Sequence, residues 1–277
     1  MSTQRSAVTA ALVFCFLALD VEGKEGPTGG WAKALNASRH TKTCFGTTGG
    51  TVVDVGARGG GETRMAMRLG FSVVAVECSR KAFVSLRDTF QRKPDVSLHF
   101  GCASDKPGVA QLYDALDSSS LHKHAVSAGP EVRKLRSGRN KTVAVPLIVL
   151  DTLLASRSKI CGAKIDTQGH ELHVMMGMEK MISKHRPVLY FEYIPRLIGA
   201  DGPKLMAWVK ARGYKCDFPN GCGPVPASAM PASSPRATGI FNSFFSRGSS
   251  TGVAKVGARS VAPKMADAIC NNIMCVP

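Results

Sequence analysis

Three acids stand at the ends of apolar runs: Asp54 in TVVDVG (51–56), Glu77 in SVVAVE (72–77) and Asp166 in ICGAKIDT (160–167). A continuous apolar run closed by an acid is the pattern of a strand buried on both faces of a parallel sheet, with a carboxylate delivered at its end. The first run passes directly into GARGGGET, Gly56 to Thr63, a glycine-rich turn followed by a charged helix pattern. Glycines there let backbone approach a nucleotide-like ligand closely, and the acids accept hydrogen bonds from its hydroxyls or amines.

Two common nucleotide loops are excluded. A dinucleotide fingerprint needs GxGxxG, but Gly59-x-Gly61 is followed at the last position by Arg64. The phosphate-binding GxxxxGK[ST] loop is nearly matched, yet Glu62 stands where Lys is required, and an anion there repels a triphosphate. What remains is D-x-G-x-x-x-G, with Asp54, Gly56 and Gly60 placed for an adenosyl ligand whose cationic amine Asp54 would accept from. Glu77, ending the next run, is placed to take two ribose hydroxyls as a bidentate acceptor.

The elements that must position these groups alternate. After TVVDVG comes a helix pattern in GETRMAMRLG (61–70), then SVVAVE, then SRKAFVSLRDTF (79–90) with Ser79 as N-cap, then VSLHFGCAS (96–104) as a third strand. VAVPLIVLDTLL (143–154) reads as an extended run whose Pro146 suits an edge or a bulge. ICGAKIDT and PVLYFEY (187–193) are two more buried strands flanking a helix around 170–185, and DGPKLMAWVKARG (201–213) is an amphipathic helix before the strand-like YKCDF (214–218). This order predicts an α/β fold, a doubly wound, mostly parallel sheet with helices on both faces.

The chain has 277 residues, 44% of them hydrophobic, enough for one core plus appendages. Arg5 precedes the 13-residue apolar run Ala7 to Leu19, with Asp20 and Gly23 beyond it. That run is shorter than the roughly 20 residues that span hydrocarbon, and it has the form of a signal-peptide core over 1–23, a short uncleaved anchor and an organelle-targeting segment being the alternatives. Secretory entry is the expected route, with no transmembrane span after its removal; the sequons at Asn36 and Asn140 are compatible with it. Residues 24–48 read as a linker, 49–220 as the organised domain, and 221–277 as a Pro-, Ala-, Ser- and Gly-rich tail expected to be disordered.

The net charge of +16 invites an anionic partner. Six Lys and Arg against the single acid Glu131 fall between His122 and Thr142. That segment has no aromatic residue to stack bases, so it reads as a solvated basic loop, with a polyanion site as the alternative. Among nine cysteines, the spacings Cys216–Cys222 and Cys270–Cys275 would each close a small loop. Cys78, Cys102 and Cys161 lie in strand-like runs, where buried thiols and disulfides remain equal alternatives.

The succession VVDVGARGGGETRMAMRLGFSVVAVE, VSLHFGCASDKPG, VPLIVLDTLL, AKIDTQGHELHVMMGME and PVLYFE resembles the FkbM family of S-adenosylmethionine-dependent methyltransferases over about 51–194. The resemblance implies a Rossmann-like class I methyltransferase fold and O-methylation of a hydroxyl on a glycan or small acceptor. It implies that Asp54, Gly56 and Gly60 form the S-adenosylmethionine loop, that Glu77 holds the ribose, and that Ser104 and Asp105 lie near the adenine. Asp166, Gly169 and Glu171 match its later element. Asp166 is then the candidate base, acceptor-orienting carboxylate or divalent-metal ligand, its bland alternatives being an ion pair with Lys164 or a helix cap. Glu192 ends its strand similarly and lines the pocket or pairs with a basic side chain. His170 reads as a solvated residue at a helix start, and Met175, Met176, Met178 and Met181 read as core. Three departures stand out: Arg58 where the family commonly has Asn, Cys78 for Pro, and Gln168 for Glu. The alternative function is a catalytically impaired member that binds a polyanion through 122–142. A nucleic-acid acceptor is disfavoured, since no PPY, PPF or PPW segment is present to hold a flipped base.

Overall fold

The computed structural model describes residues 29–40, 44, 49–113, 119–122, 142–217 and 272–277. The basic segment 123–141 with the Asn140 acceptor, the leader 1–23, and Cys222 and Cys270 lie outside the described residues. Among the described residues no helix is long and apolar enough to cross a membrane.

In chain order the elements are α1 (Gly29–Ser38), β1 (Thr51–Val55), α2 (Gly61–Arg68), β2 (Ser72–Glu77), α3 (Arg80–Phe90), β3 (Val96–Phe100), β4 (Cys102–Ala103) and β5 (Gly108–Tyr113). They continue with β6 (Thr142–Ile148), α4 (Leu150–Leu153), β7 (Ile160–Ile165), α5 (Glu171–Met176), α6 (Glu179–His185), β8 (Val188–Glu192), α7 (Pro195–Ile198), α8 (Asp201–Ala211), β9 (Lys215–Asp217) and β10 (Asn272–Val276). Seven strands form one sheet in the order β3-β2-β1-β7-β8-β10-β9, parallel except for β10. This is the doubly wound α/β architecture the sequence predicts, and its order reverses direction between β1 and β7.

The continuous apolar runs follow from burial on both faces. Successive side chains of a strand point to opposite faces, so Val53 and Val55 join one core with Ile165, Leu189 and Phe191, while Val52 joins another with Val73 and Ala75. The first core is closed by Met175 of α5, Ile182 of α6 and Leu205 and Val209 of α8. The second is closed by Trp31 and Leu35 of α1, Ala66 of α2, and Leu86 and Phe90 of α3. Met175, Met178 and Met181 are buried core residues, while Met176 is exposed.

Several sequence expectations are corrected. The stretch 24–48, read as a linker, contains α1, whose Trp31 and Leu35 are fully buried against the sheet and whose Trp31 ring lies 5.8 Å from that of Tyr190. The tail 221–277 is not wholly outside the fold, because residues 272–276 form β10, the antiparallel strand between β8 and β9. VSLHFGCAS is two strands, since Gly101 at φ 153° turns the chain and β4 leaves the large sheet for a smaller one, β4-β6-β5. Pro146 is tolerated in the middle strand of that sheet because β4 pairs only with Leu147 and Ile148. The helix expected around 170–185 is two helices, joined at Gly177, where a Cβ would come within 2.0 Å of the Ser104 carbonyl oxygen.

Cysteine pairing also differs from the local loops expected. Cys216 bonds to Cys275, Cys44 to Cys161, and Cys78 to Cys102. The first ties β9 to β10, where the two cysteines are register partners. The second anchors the chain after α1 to the central strand β7.

Phe191 is fully buried in the core between the sheet and the α5, α6 and α8 layer. Phe191→Ala is expected to cost about 3–5 kcal/mol, read as a lower urea midpoint at unchanged denaturant slope.

Candidate active site

Open α/β sheets place ligands outside the carboxyl ends of their strands, where strand order reverses. Here that point lies between β1 and β7, and a crevice opens there. Gly56, Arg58, Glu77, Asp166, Gln168 and His170 are among the residues that line it.

The turn after β1 is held by backbone. Gly56 and Ala57 donate to the Val76 carbonyl, and Gly60 donates to Ala57. Gly56 has φ 76°, and a Cβ there would sit 1.9 Å from the Asp166 carbonyl oxygen. No other residue fits, because the chains leaving β1 and β7 come into contact at that point. Gly60 also has positive φ, but its missing Cβ makes room for Phe90 and Leu86 of α3 rather than for a ligand. Arg58 lines the crevice with φ 45°, a left-handed conformation in which Asn is enriched. The departure to Arg therefore sits on a backbone that an Asn adopts with less strain.

Glu77 is 6% exposed and lines the crevice. Its Oε2 accepts from the Arg58 amide and its Oε1 from the Ser79 amide, both at 2.7 Å. Burial pushes its carboxyl up from the ordinary range, while the amides of Ser79, Arg58 and Cys78 oppose the shift. Each carboxylate oxygen carries two lone pairs, so acceptor capacity remains for a pair of vicinal hydroxyls. The residues present fit the ribose of a nucleoside.

Asp54 lies beneath the turn and not on the crevice wall. It is 1% exposed, and its Oδ2 accepts from Thr63 Oγ1 at 2.6 Å. Its Oδ1 has no hydrogen-bond partner and faces the Lys164 ammonium at 3.8 Å. Burial raises its carboxyl to about 6 against the pull of that ammonium. Lys164, register partner of Asp54 across β1 and β7, also reaches Asp166 at 3.4 Å and the Gly56 carbonyl at 3.4 Å. The two carboxylates, above all Asp166, hold its ammonium charged despite burial, which opposes the charge.

Asp166 lines the crevice with its side chain one-third exposed. It makes the ion pair with Lys164 that is its structural alternative, and it remains open to the crevice. Gln168, at φ 55°, donates from one amide nitrogen to Asp166 Oδ1 at 3.1 Å and to Glu192 Oε2 at 2.8 Å. Glu192 thus stands behind Gln168, with its carboxyl driven well up by burial and by the neighbouring Asp166 and Glu171. Glu171 is buried at the start of α5. It accepts from the Thr167 and Gly169 amides and from the Thr167 hydroxyl, so it shapes the loop rather than meeting a ligand.

Ser104 and Asp105 belong to a network the sequence reading did not foresee. Ser104 Oγ lies 3.0 Å from His170 Nε2, and His122 Nε2 lies 3.0 Å from His170 Nδ1. His173 stacks on His170, with ring centroids 4.6 Å apart, and approaches Asp105 and Asp201. His170 is therefore buried and not solvated, a correction caused by its position between β4 and the segment 119–122. The available signal was the His170/His173 spacing, which puts both rings on one side of a helix start. Among the described residues no group of three or more His, Cys, Asp or Glu side chains is placed to hold a metal ion.

Burial, with His173 and His122 close by, lowers His170 from 6.5 to about 3, against the opposing pull of Asp105 and Asp201. The unfolded chain takes up this proton near 6.5 and the folded chain does not until about 3. The contribution is therefore whole above pH 6.5 and is lost as pH falls through that window. His170→Gln should make the acid-side fall of unfolding free energy shallower, measured by denaturant titrations across that range. Lys164→Met leaves Asp54 buried without its cation and should cost about 3–5 kcal/mol, visible in the same titrations at neutral pH.

The Methyltransferase FkbM domain family model matches residues 54–216, more than half of the chain. Among solved structures, the chain is similar to an FkbM methyltransferase from Methylobacillus flagellatus, at 16% identity and a TM-score of 0.42, over 65% of this chain and 43% of that one. It therefore spans less than half the length of that relative. It is also similar to a putative caffeoyl-CoA O-methyltransferase from Staphylococcus aureus, at 9% identity and a TM-score of 0.37, over 76% and 85% of the two chains. A ribosomal protein L11 methylase from Lactobacillus delbrueckii gives 14% identity and a TM-score of 0.35, over 72% and 76%. No curated protein sequence matches it. With a Rossmann-like class I methyltransferase sheet and a family match that runs from Asp54 at the end of β1 to Cys216 in β9, the chain belongs to the FkbM methyltransferase family.

Proposed function

We propose that the protein binds S-adenosylmethionine in the β1/β7 crevice and methylates a hydroxyl group of a glycan or small-molecule acceptor. The observation that carries the reading is Glu77, a crevice-lining carboxylate fixed by two amides with acceptor capacity left for both ribose hydroxyls. When bound, the cofactor supplies a methyl group on a sulfonium, transferred by in-line displacement.

The chain's own residues align and desolvate. Gly56 lets the turn pass close beneath the crevice, where a side chain would strike the Asp166 carbonyl. Asp54 serves from below, by holding Lys164 and Thr63 in place. Asp166 is the crevice acid with access to an acceptor, and it takes or orients the acceptor's hydroxyl proton. Glu192 acts through Gln168, whose amide sets the Asp166 carboxylate. Ser104 and Asp105 act on the crevice through His170.

The three disulfides among the described residues support residence in the secretory pathway, since such bridges persist in oxidising compartments.

The test is titration of S-adenosylhomocysteine into the wild-type chain and Glu77→Ala by calorimetry. Hydrogen bonds to a charged group contribute about 1.5–3 kcal/mol each, so Glu77→Ala should weaken binding at least tenfold. Equal affinity in the two proteins, or no heat with wild type, would remove the adenosyl reading. Mass spectrometry of hydroxyl-bearing acceptors incubated with methyl-labelled cofactor then separates O-methylation from transfer to nitrogen.

A further inference from the structure

The crevice has two walls, and they come from different sheets. One is the end of β2 with the start of α3, contributing Glu77, Ser79 and Ala82. The other is the small sheet and the segment that returns to it, contributing Leu112, Ser120 and Leu121. The small sheet shares no strand pairing with the large one, and the β2/β3 ladder that leads toward it ends at the Glu77–Phe100 pair, two residues before β4.

Beyond that pair, two adjacent connections tie β2 to the small sheet. The Gly101 amide donates to the Glu77 carbonyl at 2.9 Å, and one residue further along each chain Cys78 is bonded covalently to Cys102. Cys102 is the first residue of β4 and the register partner of Leu147 in β6. Its side chain packs in a small apolar cluster with Leu112 and Val145, against which Cys78 and Leu121 rest. Both cysteines line the crevice. The bridge is thus in the crevice and joins its walls, and its Cys78 end lies between Glu77 and the Ser79 amide that grips the Glu77 carboxylate.

We propose that the Cys78–Cys102 disulfide is a positioning element of the nucleoside site, holding the small-sheet wall and the Glu77 turn at the spacing the bound nucleoside requires. This rests on the adenosyl reading above. A covalent tie removes the ordering cost that two independently moving walls would meet on binding. The other two bridges do not touch the crevice: Cys216–Cys275 joins β9 to β10 at the far edge of the sheet, and Cys44–Cys161 anchors the chain after α1. Only the crevice bridge should therefore change affinity in folded protein.

The experiment is calorimetric titration of S-adenosylhomocysteine into the full chain, with all bridges formed, against Cys78→Ser/Cys102→Ser and the edge control Cys216→Ser/Cys275→Ser. Each protein is titrated well below its own melting temperature. A purely structural bridge lowers that temperature without changing the affinity of the folded fraction. The crevice variant should bind about tenfold more weakly, while the control stays close to wild type. If the serine pair does not fold, Cys78→Ala/Cys102→Val keeps the buried apolar volume and carries the same expectation. Unchanged affinity in a folded crevice variant, or an equal loss in crevice and edge variants, overturns the proposal. Absence of binding by the intact wild type instead overturns the adenosyl reading and takes this inference with it.

Discussion

Lys164 carries an ammonium into a place closed to water, 3.8 Å from Asp54 and 3.4 Å from Asp166, with the Gly56 carbonyl beside it. A lone charge could not sit there, because an unpaired buried ion costs several kcal/mol. Two carboxylates compensate it, Asp54 in β1 and Asp166 just past the end of β7, and in doing so they tie together the points where β1 and β7 release their chains. The Gly56 turn and the loop beginning at Asp166 are consequently pressed together so closely that a methyl group at Gly56 would meet the Asp166 carbonyl. Both loops then line the crevice, the first with Gly56 and Arg58 and the second with Asp166, Thr167 and Gln168.

From that pin the division of labour follows. Asp54 and Lys164 are spent on holding the floor, which leaves Glu77 and Asp166 as the carboxylates that meet the crevice. Glu77 is oriented by amides from two different segments, at Arg58 and Ser79, so its position reports on both the β1 turn and the start of α3. Asp166 is oriented by Lys164 on one oxygen and by the Gln168 amide on the other. An amide at 168 donates to Asp166 and Glu192 together, a geometry that a third carboxylate, having no donor when ionised, could not reproduce. The departure from Glu at this position thus brings a donor where acids would otherwise crowd.

What could be read from the sequence was the part governed by local pattern. β1, β2, β7 and β8 announced themselves because burial on both faces requires unbroken apolar runs, and the acids ending β1, β2 and β7 marked the carboxyl edge. Asp54 and Glu77 are alike in pattern, since both end such runs; only the register that places Lys164 beside Asp54 assigns one to the floor and the other to the wall. The disulfides, closing separations of 117, 24 and 59 residues, depend on tertiary contacts that spacing does not encode. β10 was hidden because it follows a long Pro- and Ser-rich stretch and is only five residues long. The histidine network was missed for a similar reason, its links to His170 spanning 66 and 48 residues.

The central claim is that Glu77 and the Gly56 turn hold the nucleoside of an adenosyl cofactor at the β1/β7 reversal. A crystal structure of the protein with S-adenosylhomocysteine tests it most directly. The account predicts both ribose hydroxyls within hydrogen-bond distance of the Glu77 carboxylate, with the bridge between Cys78 and Cys102 beside the nucleoside. A nucleoside bound elsewhere, or a Glu77 carboxylate still engaged only by the Arg58 and Ser79 amides with the ligand present, would contradict it.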